Sequence, residues 1–403
     1  MSTESARANL ATFTIRIANE QQQIQHAKAG YDHWKKDNTY EQYWDLYLKE
    51  RNQGIWGTDN KLLTWVLVRR DDPQGEIYAG CETYLRKGFV KHKGASSAVE
   101  DTYIYGIASV VTPKLHLRNG YATRLLALLH HQLSDLPHPS YSFSDSISLP
   151  SSIPLPKAIG SILWSDVGST FYSRCTSSSD RPGWVVRDSQ VTELVWKLLP
   201  PKTDQLDEGW EWLYLDDLPS IGSKLSKATK KNLAQQETTE KALFAHDPSS
   251  EGMLSFIPLK GTWQRPTIID PEPVGLRYTP SGSAGAGAGG RSEEETIVLF
   301  SMKMINIGDR LLVTYVHNLT SAQLPSVLTA LDILGHKAGQ TEGWAWDISV
   351  LQPDLVDSWR NIEGREVKIG RRQEIDGHLL GAAWYGDLEE KGELVDGQMW
   401  SWC

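Results

Sequence analysis

Between residues 103 and 136 the chain is written as strand, tight turn and helix, and that order constrains what can surround it. Residues 103–111 (YIYGIASVV) are β-branched and aromatic, which suits a buried strand, and Pro113 ends the run. Beyond the turn at 117–122, Ala122, Leu125, Leu126, Leu129, Leu133 and Leu136 recur at helical spacing and mark one apolar face. Gly120 in the turn and the small Ala122 after it leave several backbone N–H groups unpaired at a helix N-terminus. The donors and the helix dipole point the same way there, so the turn suits an anion. The chemistry this suggests is grip on a pyrophosphate, hence a nucleotide or coenzyme A. A glycine in a strand-to-helix connection also serves simply to turn the chain. The stretch is neither a Walker loop nor the dinucleotide fingerprint, because neither set of fixed residues is present.

A second segment sharpens the reading. Residues 162–168 (ILWSDVG) read as a short strand running into a turn, and 169–174 (STFYSR) as a helix, with Cys175 near its end and Gly183 and Trp184 beyond. Strand, phosphate turn, helix, strand and a short helix carrying Phe171 and Tyr172 resemble, in that order, the GNAT acyltransferase superfamily. The pyrophosphate motif of that superfamily is Q/R-x-x-G-x-G/A, and Leu117, Gly120 and Ala122 occupy its three fixed positions. Leu117 departs from the usual Gln or Arg. More narrowly, the run 163–175 (LWSDVGSTFYSRC), the turn 119–122 (NGYA) and the ending 400–403 (WSWC) resemble the fungal lysine N6-acetyltransferase (Lyc-type) proteins over nearly the whole chain. The resemblance implies an α+β chain with mixed α/β sheets. A GNAT acyl-CoA transferase fold would span residues 1–200, followed at 201–403 by a second, degenerate GNAT-like domain that shapes the acceptor site.

Length and composition agree with two ordinary domains, since 403 residues suffice for two separate cores. Sixteen Trp and fifteen Tyr supply large apolar anchors. A net charge of −9 argues against a nucleic-acid partner, which usually meets a basic face. No stretch approaches the roughly 20 apolar residues of a membrane span, and the first residues lack the pattern of a secretory signal. Cys81, Cys175 and Cys403 are odd in number and widely spaced, which indicates neither a disulfide framework nor a metal site. A cytoplasmic setting is the default expectation.

Along the chain, residues 11–17 alternate like a first strand, and 20–36 and 40–52 suit helices. Residues 62–69 and 77–85 read as paired strands joined by a turn at 71–75. The Ser- and Pro-rich stretch 137–156 is expected to be a surface insertion, and 191–199 to supply a closing strand for the first domain. Residues 202–250 are polar, with the basic cluster 223–231 read as a solvated helix face. The Gly/Ala/Ser tract at 280–293 has almost nothing to bury and is expected to be a mobile loop within the second half. The second half then echoes the first. It offers a strand at 310–317, and a helix marked by Leu324, Val327, Leu328, Leu331 and Leu334 that ends near Gly339. A strand at 343–350, a helix at 354–362 and a strand at 377–385 follow. The link 318–325 has no glycine, so a phosphate cradle is not expected there. The sequence leaves open a degenerate repeat or an unrelated α+β domain.

Acyl transfer to an amine requires a neutral amine, a polarised thioester carbonyl and a protonated or stabilised thiolate. The resemblance implies that backbone N–H groups near Val110 and Val111 hold the amide arm of acetyl-CoA and polarise the carbonyl. It places the pyrophosphate on Arg118, Asn119, Gly120, Tyr121, Ala122 and Thr123. It makes Tyr172 the proton donor to the departing sulfur, although a tyrosine there also serves as core filler. Many relatives carry a Glu on the fourth strand, but the nearest equivalent here is Tyr105. The base is therefore open between Asp166, which suits binding the ammonium or relaying its proton through water and equally suits capping a helix, and the terminal carboxylate of Cys403. N-myristoyltransferase, a tandem relative, uses such a carboxylate. Tyr105, Asp166 and Glu82 are candidate acceptor contacts, with Glu41 and Asp45 as further acids near segments that line acceptor sites in this fold. The expected reaction is acetyl-CoA-dependent N-acetylation of a small amine, favouring the ε-nitrogen of L-lysine, by direct transfer without a metal. The rivals are a protein lysine acetyltransferase and a non-catalytic CoA-binding or scaffold protein.

Overall fold

Capping residues in the sequence set the first helices. The computed structural model describes residues 10–35, 37–136, 153, 155–265, 268–280, 295–302 and 310–403. In chain order the first half forms β1 (Phe13–Ile17), α1 (Glu20–Trp34), α2 (Tyr40–Asn52), β2 (Leu62–Arg69), β3 (Ala79–Lys91) and β4 (Glu100–Val111). It continues with α3 (Tyr121–Leu133), β5 (Gly160–Val167), a 3₁₀ turn at Tyr172–Arg174, β6 (Val185–Val186) and β7 (Thr192–Lys197). Asn19 caps α1 and Thr39 caps α2, each in a reciprocal pair with the Gln three residues on.

The second half forms β8 (Trp210–Leu213), α4 (Leu218–Gln235), β9 (Leu243–His246), α5 (Phe256–Gln264), β10 (Gly275–Tyr278), β11 (Thr296–Ser301) and β12 (Arg310–His317). Then come α6 (Leu324–Ala338), β13 (Glu342–Trp346), α7 (Pro353–Arg360), β14 (Lys368–Arg371), β15 (Ile375–Trp384) and β16 (Glu393–Leu394). The serine/proline stretch 137–156 and the tract 280–293 lie almost wholly outside the described residues.

Two mixed sheets result. The first runs β1-β2-β3-β4-β5-β15-β6, with β9 paired to the far end of β3 and β16 to β9. The second runs β8-β10-β11-β12-β13-β7-β14. The two orders correspond strand for strand. In each, an antiparallel set ends in a bulged strand, a helix follows, and the next strand returns parallel, as β4-α3-β5 and β12-α6-β13. The echo between the halves is therefore present in the sheets. The α+β class with mixed sheets stands.

Two expectations are corrected. The strand at 191–199 does not close the first sheet. As β7 it pairs with β13 and β14 in the second. In return β15, read from sequence as the last strand of the second half, pairs with β5 and β6 in the first. The halves exchange equivalent strands, each filling the place beside the fifth strand of the other. Alternation in sequence shows which side chains of a strand are buried, but not which neighbour it pairs with. The helix expected over 169–174 is also reduced to its 3₁₀ turn. Gly183 and Trp184 donate their N–H groups to the carbonyls of Ser173 and Tyr172 at 2.9 and 3.2 Å, so the returning chain occupies acceptors that a longer helix would need.

Period-two alternation gives the first sheet two distinct faces. Tyr105, Ile107 and Leu163 face α3, where they form a core with Leu125, Leu126, Leu128, Leu129 and Leu133. Burying each such leucine contributes roughly 1.5–3 kcal/mol. The opposite face carries Glu82, Tyr84, Gly106 and Ala108, cross-strand partners in the β3–β4 ladder, and it is covered by α1, α2 and α5.

The exchange makes a prediction. A fragment of residues 1–200 lacks β15 and leaves the Gly160–Val167 edge open and apolar. It should show no cooperative thermal transition by circular dichroism, while the full chain does; a cooperative melt of the fragment would show that β15 is dispensable to the first sheet.

Candidate active site

The β4–β5 ladder stops early. Parallel pairing runs from Ile104 opposite Gly160 to Ile107 opposite Leu163, and residues 108–111 and 164–167 continue without a shared ladder. A bulge in β4 accompanies the opening. Gly80 pairs with Val111 and Glu82 with Ala108, so Ser109 and Val110 both stand against Cys81. Ser109 takes a left-handed φ of 51°. Its carbonyl meets His26 Nε2 at 3.0 Å, and its hydroxyl donates to Glu82 Oε2 at 2.6 Å.

Past Pro113 the chain makes one 3₁₀ turn and enters α3 through Gly120, which has a φ of 80° and no side-chain cap. The first backbone bond of the helix is Arg124 N–H to Gly120 C=O at 2.9 Å, so the N–H groups of residues 121–123 have no intrahelical acceptor. A Cβ at Gly120 would be strained by that φ, and among the described residues its near neighbour would be Leu10 at 3.4 Å. The N-terminus of α6 is different. Thr320 and Gln323 bond to each other there and Pro325 takes an early position, so its own residues occupy the place of an anion.

One cavity of about 1160 Å³ joins these features. It is lined by Val110, Val111, Arg118, Gly120, Tyr121, Ala122 and Thr123 at one end, by Asp166 and Tyr172 beside the splayed strands, and by Glu82 and Cys403 at the other end. These expected site residues therefore share one space. Asn119 is not among the lining residues: its amide donates to the carbonyls of His116 and Leu117, each at 3.2 Å, and braces the loop. Tyr105 does not reach the cavity. It is 1 % exposed, faces α3, and donates its hydroxyl to Pro156 C=O at 2.9 Å. The β4 position on the cavity face is Gly106, one residue on, and a Cβ there would stand 2.8 Å from Cys403 Sγ. Glu41 and Asp45 also lie off the cavity.

The carboxylates of the far end are held by cations. Glu82 pairs with Arg51 through a short contact, and Arg51 also donates to Tyr47 C=O and Thr64 Oγ1. Burial alone would raise the Glu82 carboxyl, but Arg51, His26 and the Ser109 hydroxyl outweigh it and hold the group down at about 2. Glu50 accepts from Tyr84 at 3.1 Å and pairs with Lys260 of α5 at 2.7 Å. Arg86, buried beneath, donates to the carbonyls of Ser401 and Trp402 and anchors the last residues across the sheet. Burial keeps the Tyr172 hydroxyl protonated well above the ordinary range, aided by Cys175 and Asp166. Asp166 caps no helix; its Oδ1 accepts the backbone N–H of His378 at 3.2 Å and lies 2.7 Å from His378 Nδ1.

Sequence reading missed His378, Lys260, Arg51 and Tyr84, all of which line the cavity. Lys260 and His378 come from the second half, and no local pattern points them at the first sheet. Among the described residues no group of three or more His, Cys, Asp and Glu is placed to hold a metal, and no helix is long and apolar enough to cross a membrane.

No protein-family model matches the chain, and no curated protein matches it in sequence. Among solved structures it is similar to a GCN5-related N-acetyltransferase from Kribbella flavida, with a TM-score of 0.47 and 10% identity, covering 93% of this chain and 72% of that one. A GCN5-related N-acetyltransferase from Anabaena variabilis gives a TM-score of 0.43 and 14% identity over 92% of this chain and 72% of that one. Saccharomyces cerevisiae N-myristoyltransferase gives 0.40 and 9% over 93% and 80%.

The Glu82 environment sets a pH dependence. Its carboxyl lies below its unfolded value, so the stability it contributes is complete above about 4.5 and is lost as pH falls from there toward about 2. That displacement corresponds to roughly 3 kcal/mol. Urea unfolding of Glu82→Gln should show a deficit against the wild type at pH 7 that narrows steadily below pH 4.5. A deficit of constant size across that range would mean that Glu82 is not ionised and paired in the folded chain.

Proposed function

We propose that this chain is an acyl-CoA-dependent N-acyltransferase of the GNAT type that acetylates a small amine, with the ε-nitrogen of L-lysine as the favoured target. One observation carries the reading: the uncapped N-terminus of α3 opens into the same cavity as the splayed ends of β4 and β5. Three convergent N–H groups and the helix dipole suit the pyrophosphate of the donor. The gap beyond Ile107 and Leu163 gives its amide arm a place between strands, where β4 amides near Val110, beyond the β4–β5 ladder, polarise the thioester carbonyl. Residues 1–200 supply this donor end. Residues 201–403 supply Phe256, Lys260, His378 and Trp402 at the acceptor end.

The acceptor end favours a small zwitterion over a peptide. Helices α1, α2 and α5 and the last residues of the chain line it. Glu82 and Glu50 stand near Lys260 and Arg51, which offers both signs of charge to an amino acid. Transfer is direct: the amine nitrogen forms its bond to the acyl carbon as the carbon–sulfur bond breaks, and Tyr172 protonates the leaving sulfur. For that role the hydroxyl must carry its proton, as its burial ensures.

Purified protein should release free thiol from acetyl-CoA when given L-lysine, within a panel of free amino acids, polyamines and peptides. Release with peptides alone would overturn the small-amine assignment, and CoA binding without release under any amine would leave a binding protein. Tyr172→Phe should lower kcat by about 10²-fold with the KM for acetyl-CoA unchanged. Full turnover in that variant would remove Tyr172 as donor.

A further inference from the structure

His378 lies on β15, the strand that the second half lends to the first sheet, within the bulge between Ile375 and Leu379. Its φ of 49° is left-handed, an uncommon conformation for a side chain of this size. The ring is fixed on several sides. Nδ1 lies 2.7 Å from Asp166 Oδ1, Trp346 stacks on it at 5.5 Å between centroids, and Trp402 meets it at 5.6 Å. His378 and Asp166 both line the cavity, beside Tyr172 and the open ends of β4 and β5. Among the described residues, Nε2 has no hydrogen-bond partner, while Nδ1 faces a carboxylate that keeps a proton on that nitrogen.

Resting on the acyltransferase reading, we propose that His378 Nε2 accepts the proton of the acceptor ammonium and that Asp166 is its positioning residue. Two carboxylates and one histidine of the cavity are already engaged, which leaves the terminal carboxylate of Cys403 as the rival base. Both oxygens of Glu82 are taken by Arg51 and Ser109, and both of Glu50 by Tyr84 and Lys260. His26 offers Nε2 to the Ser109 carbonyl and is buried in the wall.

The step balances as follows. The ammonium gives one proton to Nε2, which later passes it to solvent. The freed lone pair bonds the acyl carbon, the carbon–sulfur bond breaks, and the sulfur takes the proton of the Tyr172 hydroxyl. The second proton lost by nitrogen restores that hydroxyl through solvent, leaving amide, free thiol and one released proton.

The charged and titratable groups around the pair come from several elements. Asp376 is on the same strand, Tyr172 feels the charge of Asp166, and Cys403 stands at the cavity edge. Behind Trp346 lie Arg372 and Asp347. A pH profile that depends on His378 must therefore be separated from theirs by substitution.

His378→Asn is the suitable variant. Asn tolerates a left-handed φ and retains a donor toward Asp166 while removing Nε2. With the amine that releases thiol fastest, kcat should fall 10²- to 10³-fold, and the KM for acetyl-CoA should hold. The rise of kcat/KM with pH on the acid side should flatten. Asp166→Asn should keep that rise but displace it, with a smaller loss of kcat, and matching near-ultraviolet circular dichroism would show that both variants fold. If His378→Asn folds and retains more than half the wild-type kcat with its acid limb intact, His378 is not the acceptor, although the acyltransferase reading survives. If the wild type itself releases no thiol with any amine, both fail together.

Discussion

Loss of the parallel ladder between β4 and β5 beyond Ile107 and Leu163 is the constraint on which the cavity depends. Backbone groups freed inside a protein need other partners, because leaving them dry and unpaired costs about as much as a lost hydrogen bond. The bulge opposite Cys81 answers part of that demand. It turns the Ser109 carbonyl to His26 and brings the Ser109 hydroxyl onto Glu82, which in turn holds Arg51. What remains open at the strand ends faces the cavity, and the uncapped start of α3 adds its own donors a few residues later. A break in one ladder thus creates the space, its hydrogen-bonding wall and its charge balance.

The exchange of β7 and β15 decides what stands across from that wall. Because β15 is part of the first sheet, its bulge delivers His378 beside Asp166, and the segment after it continues to Trp402 and Cys403 over Gly106. Arg86 fastens that segment through two backbone carbonyls, and β16 adds to the same sheet beside β9. Neither half completes its own sheet. Each sheet is therefore completed by a strand from the other half, and the two ends of the cavity are held by both.

Much of the local structure was legible in sequence, and the failures share one cause. Bounds for α2 and β2 follow from signals within a few residues, Thr39 with Gln42 for the helix and an apolar run for the strand. The turn at Gly120 is equally local, since a left-handed φ before a leucine-rich helix leaves few alternatives. Pairing is not local. Nothing in residues 192–197 or 375–384 says that they trade sheets, so sequence alone places β7 in the wrong sheet and does not mark His378 as part of a site. Tyr105 failed for a related reason. The face of a strand reverses with every residue, so an equivalence drawn one position off placed a core tyrosine where Gly106 makes room.

The wall behind His378 shows how the two sheets fix a side chain that belongs to both. Arg372 is 1 % exposed, and among the described residues none of its guanidinium nitrogens has a hydrogen-bond partner. Its Cζ lies 4.3 Å from the ring centre of Trp346 and 5.4 Å from that of Trp164. Burial lowers its pKa to about 9, against the pull of Asp347 and Glu193. A desolvated cation–π contact contributes about 2 kcal/mol, less than the cost of stripping water from a guanidinium, so the charges of those two acids supply part of the balance. Trp346 comes from the second sheet and Trp164 from the first, and their rings touch at 5.3 Å. Arg372 lies against both rings, and His378 stacks on Trp346. The imidazole is thus set by contacts that exist only when both sheets are formed and joined, so its orientation toward Asp166 reports assembly of the whole chain.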